Sequence, residues 1–149
     1  MNREGRHDST LVMLHRIVAM LFSLSALAHR STNRSRLVRR MLCWILAIIL
    51  SPIREMIVET AHDVGLHPDF ADLDFSSSND SAEDLMRFAW ALGELGRTLQ
   101  HLIVHIELLA PDERDRAQAS VARRVVACLA AIAPAFESPA LRVPCPDTS

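Results

Sequence analysis

Residues 85–109 read LMRFAWALGELGRTLQHLIVHIELL, and this stretch decides the fold. Leu85, Phe88, Leu92, Leu95, Leu99, Leu102, Ile106 and Leu109 recur at spacings of 3, 4, 3, 4, 3, 4 and 3. That is one face of an α-helix, sustained long enough to pack lengthwise on other helices. The neighbouring positions are Ala89, Ala91, Gly96 and Ile103 rather than the alternating charges of a free two-stranded coil. They widen the apolar face, so the stretch reads as a helix buried within a bundle. Asp80 and Ser81 are its cap candidates, and Glu83 and Asp84 suit its first turn. The predicted helix spans about 81–109.

The rest of the chain supplies partners for it. Before it, Leu11, Leu14, Val18, Leu21 and Leu24 form an apolar stripe that predicts a helix over about 9–29, capped by Ser9 or Thr10. Ala19, Ser23 and Ala26 form a second stripe of small residues, against which another backbone can come close. A second helix is predicted over 35–64. Its centre, Met41 to Ile53, carries no charge, and Pro52 is expected to kink or break it. Gly65 has the character of a helix C-cap, and His67-Pro68 favours extended chain. A fourth helix is predicted over 111–133, opened by Pro111, Asp112 and Glu113 and ended by Pro134. Its stripe is Val121, Val125, Cys128 and Ile132. Residues 65–80 read as an acidic loop and 135–149, with Pro139, Pro144 and Pro146, as a mobile tail. The expected architecture is all-α: an antiparallel bundle of about four helices forming one domain over 1–134.

Composition agrees. The chain has 149 residues, half of them apolar and 23% charged, which excludes disordered, collagen-like and disulfide-framework classes. Four Gly and seven Pro are too few for the turns of an all-β fold. The three cysteines, Cys43, Cys128 and Cys145, form no C-x-x-C pair; they are expected to be small, mostly core residues in a reducing compartment. Glu4 and Asp8 interrupt the N-terminal basic region, so a cleaved leader is not expected.

Charge is distributed unevenly. Every basic side chain other than histidine is Arg. Residues 1–54 carry a net +7, residues 55–84 a net −9, and residues 85–149 are balanced. Arg30, Arg34, Arg36, Arg39 and Arg40 crowd into one connector, a candidate contact for anions or a membrane surface. The competing reading pairs this turn with the acidic segment 55–84. Nothing aromatic is interleaved for base stacking, so nucleic acid is disfavoured as a partner.

Other constellations point weakly to chemistry. His101 and His105 lie four apart on one helical face, as two metal ligands would, but a third ligand, from His62, Asp63 or His67, could come only by tertiary contact. The favoured reading places them on the polar edge of a bundle helix. Phe70, Leu73 and Phe75 alternate with acids and are candidates for docking on a partner or for covering the bundle's own end. No nucleophile motif or glycine-rich phosphate loop is present. Neither a catalytic residue, a cofactor nor a small-molecule substrate is expected.

The membrane question turns on length. A span needs about 20 apolar residues, while runs of 10–14 are more often protein core. The two candidate stretches have thirteen residues in helix two and twelve in helix one, Ile17 to Ala28. The sequence therefore favours a soluble or peripheral bundle, cytoplasmic or associated with an inner membrane. The expected function is a non-enzymatic helical interaction protein, with the surplus apolar surface of helices one and two available for self-association. The alternative is a membrane protein with a helical hairpin at about 11–58 and an Arg-rich cytoplasmic turn. A further alternative is metal binding through His101 and His105.

Residues 16–60, notably Arg16-Ile17-Val18-Ala19, Leu24-Ser25-Ala26-Leu27-Ala28-His29-Arg30, Arg34 to Arg40 and Trp44-Ile45-Leu46, resemble small Arg-rich helical bacterial proteins of unknown function. The resemblance implies a helical chain and carries no active site.

Overall fold

A computed structural model describes residues 3–70 and 81–137. They form four long helices: α1 (Arg3–Arg30), α2 (Arg36–Asp63), α3 (Ala82–Glu107) and α4 (Pro111–Glu137). A 3-10 turn at Ser31–Asn33 joins the first two. The described residues contain no strand, and the fold is an all-α bundle.

The α3 seam forms the core. From Leu85 to Ile106 its seam residues are all buried, as are Ala89, Ala91 and Ile103 beside them. The other three helices close around it, with α1 packed most extensively on α3. Close approach there depends on two glycines: a Cβ on Gly96 would lie 3.1 Å from the Phe22 ring, and one on Gly93 would lie 3.7 Å from Ser25 Oγ. Ser25 Oγ donates to the Ala89 carbonyl at 2.6 Å. Higher-numbered α1 residues thus meet lower-numbered α3 residues, and the pair is antiparallel.

The α2/α4 pair is antiparallel too. The Trp44 and Phe136 rings meet edge-on with centroids 6.5 Å apart. At the other end Arg124 reaches Glu59 at 3.4 Å and also bonds Asp63. Three residues separate α3 from α4, while Val64 and Leu109 line one cleft. Consequently α2 and α3 run in the same direction, and α2 ends at the opposite pole from where α3 begins. Although α1 and α2 are successive and antiparallel, they are not close neighbours; each makes its main contacts with α3 or α4.

The helix ends follow local chemistry. Ser81 Oγ accepts the Asp84 N–H at 3.1 Å and Asp84 accepts the Ser81 N–H at 3.3 Å, a reciprocal capping box. Gly65, with φ of +79°, ends α2; the Leu66 N–H reaches the Ala61 carbonyl at 2.8 Å and the Gly65 N–H reaches the His62 carbonyl at 3.1 Å. This is a Schellman ending, which needs the left-handed residue that Gly supplies without strain. The Arg114 side chain donates to the carbonyls of Glu107 and Leu109, covering the open end of α3.

Three boundaries differ from expectation. α1 starts at Arg3, so Thr10 is a buried residue inside it rather than its cap. Its first turns are polar and lack the apolar periodicity that marks a helix in sequence. α2 continues through Pro52, and α4 continues past Pro134 to Glu137. Each proline removes one N–H, here the partner of the carbonyl at Ile48 or Ala130, and neighbouring turns carry the helix across that gap. Loop residues 71–80, with Leu73 and Phe75, and the tail 138–149, with Cys145, lie outside the described residues.

Candidate functional site

The connector arginines converge on one pole. Arg30 ends α1, Arg34 follows the 3-10 turn, and Arg36, Arg39 and Arg40 lie in the first turns of α2. Arg39 differs from the rest. It is half-buried and its Nη1 donates to the Arg34 carbonyl at 3.2 Å and the Thr32 carbonyl at 3.5 Å, so it clamps the turn. Arg30, Arg34, Arg36 and Arg40 are exposed.

Most of the described acidic segment lies far from this pole. Glu55, Glu59 and Asp63 occupy the other end of α2. A rise of about 1.5 Å per residue puts Arg36 roughly 28 Å from Glu55 and about 40 Å from Asp63. The Arg turn therefore does not pair with these acids, and Arg124 takes Glu59 and Asp63 instead. Asp84, at the basic pole, is held by Ser81 and Arg87.

Below the Arg pole, three of the four helices carry a belt of residues without charge. Ile17–Ala28 of α1, Met41–Ile53 of α2 and Val125–Phe136 of α4 contain no Asp, Glu or Arg. The fold brings the three stretches to one level: Ile17, Met20, Ile49, Ile53, Cys128 and Ile132 share an entirely apolar groove of about 170 Å³. Trp44 meets Phe136 at the belt's upper edge. Twelve or thirteen helical residues give a belt about 18–20 Å high. Its outer surface carries exposed Met20, Leu27, Met41, Trp44, Val126 and Leu129.

These helices are also long. Ser9–Asn33, Arg36–Asp63 and Pro111–Phe136 are each long and apolar enough to cross a membrane. Only 22%, 33% and 17% of their most apolar windows are buried inside the bundle. Most of that apolar character is thus not consumed by the core. α3 is the exception: its outer side carries a Glu94–Arg97 ion pair.

The other sequence candidates do not assemble into a site. His101 is exposed and His105 half-buried on α3, and no group of three or more metal-ligating side chains occurs among the described residues. His62 and His67 bring their rings within 5.2 Å at the end of α2, without a third ligand. Phe70 is half-buried and packs against the core. Cys43 and Cys128 are buried.

Sequence reasoning missed the contribution of α4. Val125 to Phe136 is as long as the uncharged run of α1, but the charged first half of the helix masks it in any average over the element. No family model, curated protein or solved structure matches the chain.

Proposed function

We infer that this is a small membrane-associated helical protein whose apolar half sits in a lipid bilayer, with the Arg pole at the headgroups. The observation that carries the reading is the alignment of three uncharged helical stretches at one level of the bundle. A core needs only one face of each helix, yet the outward faces are apolar as well. The unit placed in lipid is this half of the bundle, rather than a two-helix hairpin.

The dimensions suit lipid when the flanking arginines are included. The belt is shorter than a hydrocarbon core of about 30 Å. Arg30, Arg34, Arg36 and Arg40 flank it on one side, and Arg16, Arg54 and Arg123 on the other. Arg side chains reach outward from apolar surroundings and make up such a deficit. The exposed indoles of Trp44 and Trp90 lie near the basic pole, where tryptophan favours the membrane–water boundary. Under the positive-inside rule the Arg pole faces the cytoplasm.

The two Trp and the absence of Tyr give a direct test, because all indole emission comes from Trp44 and Trp90. The protein is reconstituted into vesicles of lipid brominated either near the headgroup or near the chain end. Strong quenching by the headgroup-proximal bromines, with weaker quenching by the deep ones, is the expected result. Emission insensitive to both lipids overturns the reading.

A further inference from the structure

α3 has a second seam, on the side facing away from the core. Met86, Trp90, Glu94, Arg97, His101, Val104 and Leu108 follow one another at spacings of 4, 4, 3, 4, 3 and 4. Exposure is high at its apolar ends: Met86 45%, Trp90 57%, Val104 54% and Leu108 80%. α3 is the most deeply packed helix of the bundle, yet it places four large apolar side chains outward on one line. Large apolar side chains left exposed along one helix face mark a contact surface.

The order of residues along the seam identifies that helix. Two apolar residues come first, then an acid, then Arg97, then a histidine, then two apolar residues. The pattern reads nearly the same in reverse. We propose that the outer face of α3 is a self-association surface, on which a second copy of this chain packs its own α3 antiparallel about a two-fold axis at Arg97. In that register Met86 meets Leu108 of the second copy, Trp90 meets Val104 and Glu94 meets His101. The two Arg97 side chains flank the axis, each held by Glu94 of its own helix. Parallel pairing instead sets Glu94 on Glu94 and His101 on His101.

The surface beside the seam allows close approach. Ala19, Ser23 and Ala26 are exposed on the adjoining α1, and Ala26 lines a cleft with Met86, Trp90 and Arg97. An isologous contact of this kind closes on itself as a dimer. It also covers the Glu94–Arg97 pair at the level of the belt, where an exposed ion pair in lipid is costly.

Cysteine placement tests the register in the full chain. Cys145→Ser provides the parent, in which the remaining thiols, Cys43 and Cys128, are buried. Arg97→Cys in that parent is expected to crosslink to itself on mild oxidation, with most of the chain shifting to dimer. Met86→Cys and Leu108→Cys are expected to crosslink when mixed and not singly, because 22 helical residues separate like positions by about 33 Å. Trp90→Glu, at an exposed site, should lower the dimer fraction at least tenfold while the helical circular dichroism is kept. Failure of Arg97→Cys to crosslink, or self-crosslinking of Met86→Cys, overturns the proposal. The readout is taken in whichever fraction holds the protein. A soluble dimer supports this surface and contradicts the bilayer reading, and a membrane-bound monomer does the reverse.

Discussion

At the scale of single residues, α3 is set by volume. Leu92, Leu95 and Leu99 are essentially fully buried, so Leu95→Ala should cost about 2–5 kcal/mol, transfer and cavity terms together. Chemical denaturation of the two proteins checks it. The two glycines facing α1 should respond differently. Gly93→Ala gains helix propensity of about 1 kcal/mol with only an ordinary contact to Ser25. Gly96→Ala gains less or loses stability, because its methyl meets Phe22 at 3.1 Å. Melting of the pair gives the order. Gly65→Ala places a side chain at φ of +79° and should cost about 1–2 kcal/mol.

At the scale of elements, the sequence was most legible where periodicity and capping coincide. The α3 seam, Ser81 at its start, Gly65 after α2 and Pro111 at the start of α4 all hold in the structure. Legibility failed where one residue type was given too much weight. Pro52 and Pro134 each remove one hydrogen bond, and packing on the neighbouring helices outweighs that loss. Pro52→Ala should therefore stabilise α2, by about 1–3 kcal/mol, measured as a rise in Tm. The first turns of α1 were illegible because polar residues carry no apolar period. The outer face of α3 was illegible for another reason: Met86, Trp90, Val104 and Leu108 sit among core leucines, and only the fold shows which apolar residues face outward.

At the scale of the whole molecule, charge and apolarity are sorted by level. Residues separated in sequence, such as Ile17, Ile53 and Cys128, reach one height because α1 and α4 run one way and α2 the other. No stretch reveals this alone, since the shared level depends on the direction in which each helix runs. The folded length of α2 likewise carries Glu55, Glu59 and Asp63 away from the basic pole. If anionic headgroups meet this pole, replacing Arg30, Arg34 and Arg36 with Ser should weaken binding to anionic vesicles at about 1 kcal/mol per Arg, roughly fivefold each. Binding to neutral vesicles should change little, and flotation against both compositions measures the difference.

The central claim is that the uncharged belt lies in lipid. The most direct measurement is fractionation of the expressed full-length chain, with the membranes washed in high salt and then in alkaline carbonate. Retention in the pellet through both washes, with release only by detergent, is the predicted result. Recovery in the soluble fraction, or release by either wash, contradicts the account and makes the belt a contact between proteins.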